Sequence, residues 1–186
     1  MNLKPQDVVV ALKFVSDHSA SGYSEKATAL GMSVSEVHGA SKRALRAQLL
    51  VEQGGRIVPM VRNLTEFLVH GIRYVFPPDS GGLGRGMPTG FEAPPVQHLA
   101  GSLIEKDFPR VWADPEGTAR GEIIEPLYPS VPGAARRDER LYLLLALVDE
   151  LRVGRARERE QAASLLREHL KGWSHMDEDM PLWTRT

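Results

Sequence analysis

The most constraining feature of this sequence is the tight spacing of helix boundaries around Gly31. A glycine commonly ends a helix, because it adopts left-handed backbone angles without strain. Two residues later, Ser33 and Glu36 have the spacing of a capping box, in which each side chain bonds the backbone amide of the other residue. One helix is therefore predicted to end at Gly31 and another to begin at Ser33, with a sharp turn between them.

The hydrophobic pattern sets the extent of these two helices and places another helix before them. Apolar residues at helical spacing, with a proline in the first turn, predict a first helix over residues 5–16. Ser24 is predicted to cap the second helix, which continues through Leu30. The third helix is predicted to run from Ser33 to about Leu50. Its inward-facing residues would be Val37, Ala40, Ala44 and Leu45.

A β-hairpin and a fourth helix are predicted to follow. Gly54-Gly55 separates two β-prone segments, and a two-residue glycine loop in that position is typical of a hairpin. Asn63 can then cap a fourth helix with Glu66 at its third position. This helix should end before Pro77-Pro78, because proline cannot continue a helix.

Short helices joined at a glycine and followed by a hairpin occur in this order in winged helix-turn-helix proteins. Residues 23–42 resemble the bacterial helix-turn-helix pattern, in which a small residue lets the helices approach and an apolar residue anchors the second helix. Ala27 and Val37 occupy those two positions, and Gly31 occupies the turn.

With the hairpin included, residues 5–62 resemble the broad winged-helix superfamily of bacterial regulators, which includes regulators related to MarR. The segment departs from the helix-turn-helix pattern at Lys26 and Ala40, where a bulkier apolar residue is more usual. The resemblance implies a winged helix-turn-helix domain over residues 1–62, in a chain that is mainly α-helical with a small β wing. It also implies a recognition helix over residues 33–46 that enters the major groove of double-stranded DNA.

Seven residues are expected to contact DNA if this resemblance extends to function. Serine and histidine can bond base edges or phosphates, whereas lysine and arginine supply the salt-dependent attraction to the DNA backbone. The expected DNA-contacting residues are Ser33, Ser35, His38, Lys42, Arg43, Arg46 and, on the wing, Arg56. The same residues could instead be ordinary surface groups of a solvated helix, and Glu36 is better explained by capping than by DNA contact.

The charge of the chain supports DNA binding only when residues 1–62 and the remaining residues are counted separately. The 186 residues carry a formal net charge of -1, so attraction to nucleic acid cannot be argued from the whole chain. Residues 1–62 hold eight Lys and Arg residues against five Asp and Glu residues, whereas the remainder holds 15 against 19. The basic excess is therefore confined to the segment that resembles a DNA-binding domain.

Several classes of site are excluded or find no support. The chain has no cysteine, which excludes disulfides, thiolate zinc sites and cysteine nucleophiles and is typical of a reducing cytoplasm. There is no run of about 18 apolar residues, and residues 1–16 lack the pattern of a signal peptide. We therefore expect a cytoplasmic protein without a membrane span. No sequence motif of a metal site, cofactor site or catalytic triad is present, so neither a cofactor nor enzymatic activity is expected.

Residues 63–137 are expected to form a helix followed by an ordered layer rich in proline and glycine. The glycine run 81–86 invites comparison with a phosphate-binding loop, but no Lys-Ser or Lys-Thr follows and Pro88 intervenes. We therefore expect a flexible loop or hinge there. A strand is predicted within residues 117–128, after a turn that begins at Asp114.

Residues 138–172 are expected to form a helical assembly region, and residues 173–186 an acidic, disordered tail. Leu143 and Leu147 add a second apolar stripe to the first of these helices, which could pack under the middle layer or against a second copy. We expect a homodimer, because helix-turn-helix proteins commonly contact two DNA half-sites. The helix should end before a solvated charged turn at residues 155–160.

The sequence favours a sequence-specific DNA-binding transcriptional regulator that acts as a repressor. The main alternative is a protein-interaction module of a two-gene system, such as an antitoxin-like or defence-associated protein, because the tri-helical motif also mediates protein contacts. A stoichiometric protein partner would distinguish that alternative. An enzyme built on the middle layer would need a ligand or a metal in a pocket there.

Overall fold

The computed structural model describes residues 2–17, 21–100 and 108–178, and most of them are helical. The helices are α1 Pro5–Ser16, α2 Tyr23–Leu30, α3 Val34–Arg46, α4 Val61–Glu66, α5 Ile72–Val75, α6 Pro94–Ala100, α7 Val131–Arg137, α8 Glu139–Val153 and α9 Ala156–Glu178. The strands are β1 Leu50–Gln53, β2 Arg56–Pro59, β3 Ser80–Pro88, β4 Arg110–Ala113 and β5 Ala119–Ile124. A π-helical turn, Phe67–Gly71, joins α4 to α5, and a 3₁₀ turn, Gly90–Glu92, precedes α6. None of the helices in the described ranges is both long and apolar enough to cross a membrane.

The first three helices are arranged as the spacing around Gly31 predicts. Gly31 follows α2 with a φ of 64°, in the left-handed region that glycine adopts without strain. Ser33 and Glu36 form the predicted capping box: the Glu36 amide donates to Ser33 Oγ at 3.2 Å, and the Ser33 amide donates to Glu36 Oε2 at 2.8 Å. α3 packs against both α1 and α2.

Two helix boundaries differ from the prediction. Ser24 does not cap α2, because the helix already begins at Tyr23 and Gly22 occupies the N-cap position. α3 ends at Arg46 rather than near Leu50, because Leu50 belongs to the first strand of the hairpin. Pairing with β2 supplies the backbone hydrogen bonds that a longer helix would otherwise have provided.

The predicted hairpin is present as β1 and β2, which pair antiparallel across Gly54-Gly55. The fourth helix begins at Val61 and is not capped by Asn63 as predicted. The Asn63 side-chain amide instead donates to the Gln48 carbonyl oxygen at 3.0 Å, which ties the helix to the segment that leads into the hairpin. The helical segment ends at Val75, before the two prolines, as predicted.

The glycine run 81–86 is part of a β-strand and is not the expected flexible loop. It lies in β3, which pairs antiparallel with both β4 and β5, while β4 and β5 pair with each other in parallel. A Cβ at Gly86 would collide with the carbonyl oxygen of Trp112, so the close approach of these strands requires a glycine there. β5 lies within the strand predicted for residues 117–128. The middle layer is therefore built on a small sheet.

α8 lies at the centre of the molecule, because residues 141–152 are all buried. It packs against α1, α5, α7 and α9 and against the 3₁₀ turn. Its second apolar stripe, marked by Leu143 and Leu147, is thus covered within the chain and gives no support to the expected homodimer. One apolar cluster extends through α8 from Val8 near the N-terminus to Leu170 in α9.

Charged side chains inside α8 attach the three-stranded sheet to this helix. Asp149 accepts hydrogen bonds of 2.6–2.9 Å from three side chains, those of Thr89, Trp112 and Arg152. Burial raises the pKa of Asp149, and the ion pair with Arg152 opposes that rise. Next to it, Glu150 accepts hydrogen bonds of 2.9 Å from Arg110 in β4. The position of the sheet thus depends on buried ion pairs.

The start of α9 and the C-terminal tail also differ from the prediction. Arg110 lies 3.5 Å from Glu158, a buried residue in the first turn of α9. The expected solvated turn at residues 155–160 is therefore mostly helical, and one of its carboxylates faces the sheet. α9 continues to Glu178, so residues 173–178 of the expected tail are helical. Residues 179–186 lie outside the described ranges.

Candidate nucleic-acid interface

α3 has one buried face and, opposite it, one exposed face. Val37, Ala40 and Ala44 are completely buried. Four of the predicted DNA-contacting residues are exposed on the opposite side: Ser35, His38, Lys42 and Arg46. At about 100° per residue, these four positions lie within roughly 80° of arc. We call these four residues the α3 stripe. Ser33, the N-cap residue of α3, is also exposed.

An aromatic contact connects the α3 stripe to the preceding helix. The rings of His38 and Tyr23 meet edge to face, with centroids 5.3 Å apart. Tyr23 is the first residue of α2, so the contact joins the N-terminal half of α3 to the N-terminal end of α2.

The hairpin that follows α3 carries an exposed cation. Arg56 is exposed at the first position of β2, directly after Gly54-Gly55. The first strand of the hairpin packs against α3, and the Met60 amide donates to the Leu49 carbonyl oxygen at 2.9 Å to close the base of the hairpin. Arg56 therefore lies at the tip of a hairpin whose first strand packs against α3.

The structure divides the basic residues of segment 1–62 into two groups. Three of them are paired with carboxylates inside the fold: Lys13, Lys26 and Arg43. The other five are exposed: Lys4, Lys42, Arg46, Arg56 and Arg62. The side chains that carry the basic excess are therefore accessible, and three of them lie on α3 or on the hairpin.

Arg43 lies beside the α3 stripe but belongs to a buried ion pair. Its guanidinium donates to both carboxylate oxygens of Asp7, and the shortest of these bonds, from Nη2 to Oδ1, is 2.6 Å long. Asp7 is completely buried in α1, where an unpaired carboxylate would be costly. Hydrogen bonding to Asp7 raises the pKa of Arg43. Arg43 thus joins α1 to α3, unlike the neighbouring exposed cations with which the sequence groups it.

Lys26 shows how the fold accommodates a departure from the helix-turn-helix pattern. The residue is only 2% exposed, and its Nζ donates to Ser21 Oγ at 2.5 Å. Nζ also lies 3.4 Å from Asp17 Oδ2 and 4.8 Å from the centroid of the Phe14 ring. The aliphatic stem of the lysine therefore fills a position where an apolar residue is usual, while polar and aromatic groups receive its charge.

Tyr128, which the sequence does not single out as a site residue, contacts the start of α3. It lies between β5 and α7, and its hydroxyl donates a hydrogen bond of 2.5 Å to Glu36 Oε1. This bond, together with the bonds from Ser33, lowers the pKa of Glu36 to about 2. Tyr128 and Glu36 are 92 residues apart, so no local spacing could connect them. Only the tertiary structure reveals the contact.

A cavity of about 280 Å³ lies between the three-stranded sheet and helices α6, α7 and α8. Its lining residues are Met87, Pro94, Pro95, Ala135, Arg136, Glu139 and Tyr142. Arg136 is paired with Asp114 and Glu116, and the Tyr142 hydroxyl donates to the Pro88 carbonyl oxygen. Two of the three polar side chains that line the cavity, Arg136 and Tyr142, thus already bind protein partners, and the candidate site remains α3 and the hairpin.

Within the described ranges, no group of three or more His, Asp or Glu side chains could hold a metal ion. Comparison of the chain with protein-family models, with curated proteins and with solved structures gives no match.

Proposed function

We propose that this chain binds double-stranded DNA as a transcriptional regulator of the winged helix-turn-helix type. α3 would enter the major groove, and the β1–β2 hairpin would act as the wing. The observation that carries the proposal is the α3 stripe, because its four polar and basic side chains are exposed directly opposite the buried face of the helix.

The order of residues along α3 suits the two kinds of contact that a recognition helix makes. Ser35 and His38 lie in its N-terminal half, where side chains can bond base edges. Lys42 and Arg46 follow in the C-terminal half, where they can bind phosphates. Glu36 is the only acidic residue of α3, and its carboxylate bonds Ser33 and Tyr128 rather than lying on the stripe.

The test is a binding titration of the full chain with DNA from upstream of its own gene, at two salt concentrations. Lys42→Ala/Arg46→Ala should weaken binding by about tenfold or more and should make the salt dependence less steep by about one phosphate contact per cation removed. Arg120→Ala/Arg167→Ala is the matched control, because it removes two exposed cations from β5 and α9. This control should bind DNA like the wild type.

Equal DNA affinities for the two double variants, with both folded, would contradict the proposal. A wild-type chain that binds no DNA, or binds it without salt dependence, would also contradict it. If such a chain co-purifies with a stoichiometric protein, the protein-interaction module becomes the better explanation.

A further inference from the structure

The first turn of α3 is held by a residue from the distant C-terminal part of the chain. Glu36 uses one carboxylate oxygen, Oε2, to accept from the Ser33 amide at 2.8 Å, as a capping box requires. The other oxygen, Oε1, accepts from the Tyr128 hydroxyl at 2.5 Å. A hydrogen bond to an ionised carboxylate is stronger than one between neutral groups. One side chain thus both caps α3 and connects it to the segment before α7.

The same segment also contacts the end of α2 and the turn. Arg137 Nε donates to the Ala29 carbonyl oxygen at 3.0 Å. Ser130 Cβ and Arg137 Nη2 lie 3.5 Å and 3.3 Å from the position that a Cβ on Gly31 would occupy. Residues 128–137, which we call the clamp, therefore contact α2, the turn and α3.

The clamp is itself anchored in the core of the molecule. Val131, Ala134 and Ala135 are buried, and α7 packs against α8. The residue after α7, Asp138, caps α8 and accepts a hydrogen bond of 2.8 Å from Lys13 in α1. Because the clamp is attached to the core in this way, it can hold α2 and α3 in a fixed position relative to the core.

α3 is therefore anchored at two points, by an ion pair and by a hydrogen bond from a neutral hydroxyl to a carboxylate. Arg43 in its C-terminal half is paired with Asp7 in α1, whereas Glu36 in its first turn is bonded to Tyr128 in the clamp. A helix held at two points along its length has a defined orientation, which a protein that reads base edges needs.

We infer that Tyr128 is a positioning residue for the recognition helix: its hydroxyl orders the first turn of α3 and so orients Ser33, Ser35 and His38 toward DNA. The inference rests on the proposed function, because orientation matters only if these residues contact DNA. Tyr128 acts through Glu36 and contacts no base or phosphate itself.

The test compares Tyr128→Phe with Tyr142→Phe in the full chain. Both variants lose one tyrosine hydroxyl and its hydrogen bond, but the Tyr142 hydroxyl bonds Pro88, in β3. Hydrogen–deuterium exchange without DNA is the first measurement. Tyr128→Phe should speed amide exchange in residues 31–40 by roughly threefold to tenfold, with little change in residues 141–152. Tyr142→Phe should leave residues 31–40 unchanged.

The second measurement is DNA affinity at two salt concentrations. Tyr128→Phe should weaken binding by roughly threefold to tenfold with an unchanged salt slope, because no phosphate contact is removed. Tyr142→Phe should bind like the wild type. A purely structural loss of stability would not weaken DNA binding at temperatures where both variants are fully folded.

Wild-type exchange or wild-type affinity in a folded Tyr128→Phe variant would overturn the inference while leaving the proposed function intact. A wild-type chain that binds no DNA overturns the proposed function and with it the positioning role, and exchange then shows only whether the clamp orders α3. Arg137→Gln is the second variant, because it removes the bond to Ala29 and should also speed exchange in residues 31–40.

Discussion

α3 and α8 use charged side chains in opposite ways. In α8, Asp149, Glu150 and Arg152 are buried and form hydrogen bonds to the three-stranded sheet or to the segments that flank it. In α3, Lys42 and Arg46 are exposed opposite the core. The same residue types therefore stabilise the assembly of the molecule in one helix and remain accessible to a partner in the other.

Arg43 shows that the surroundings of a side chain decide its role, rather than the helix to which it belongs. It is in α3, one residue after Lys42, yet it is bonded to the buried carboxylate of Asp7. In this respect it resembles the charged residues of α8. Substitutions should therefore separate into those that change the stability of the fold and those that change DNA binding. We expect the first effect at Arg43 and the second at its neighbour Lys42.

The largest effect is expected at the buried ion pairs of α8. Asp149→Ala leaves Arg152 buried without its carboxylate partner and should lower the free energy of unfolding by about 3–5 kcal/mol. Urea denaturation measures this loss. Glu139→Ala, at the exposed start of the same helix, is the control and should cost less than about 1 kcal/mol. Similar losses for both variants would mean that the buried network does not stabilise the fold.

A smaller effect on stability should distinguish two neighbouring cations of α3. Arg43→Ala removes the charged partner of the buried Asp7 and should lower the free energy of unfolding by about 2 kcal/mol. Lys42→Ala should change it by less than about 0.5 kcal/mol, because surface substitutions rarely do more. Thermal or urea unfolding of the two variants gives the comparison. If both variants lose the same free energy of unfolding, Arg43 does not stabilise the fold more than the exposed Lys42 of the α3 stripe does.

The smallest effect is expected at Glu36 and should depend on pH. The folded chain lowers the pKa of Glu36 from 4.5 to about 2, mainly through the Tyr128 hydroxyl. Ionised Glu36 therefore contributes stability above pH 4.5, and that contribution is lost as the pH falls toward 2. The difference in unfolding midpoint between the wild type and Glu36→Gln should narrow over this interval. In a Tyr128→Phe background the narrowing should begin at the same pH, near 4.5, but should be complete at a higher pH than in the wild-type background. A difference independent of pH would contradict the assignment.

The elements that sequence analysis predicted well are those that depend on near neighbours in the chain. The glycine at position 31, the capping box of Ser33 and Glu36, and the Gly54-Gly55 hairpin each involve residues fewer than ten positions apart. Their hydrogen bonds and backbone angles follow from local chemistry. The extent of the exposed face of α3 follows in the same way, from helical periodicity.

Two of the errors, at the glycine run and at Asn63, occurred where a distant partner decides the structure. The glycine run 81–86 is compatible with a flexible loop until β4 and β5 supply strand partners for it. Asn63 is compatible with a helix cap until the Gln48 carbonyl binds its side chain.

By itself the sequence determined the order of helices and hairpin in residues 5–59 and the positions of Ser35, His38, Lys42 and Arg46 on one side of a helix. Only the tertiary structure decided that Arg43 pairs with the buried Asp7 and that Tyr128 binds Glu36. The physical reason is the range of the interactions. Helix periodicity and capping act over a few residues, whereas a buried carboxylate takes its partner from whichever element packs beside it.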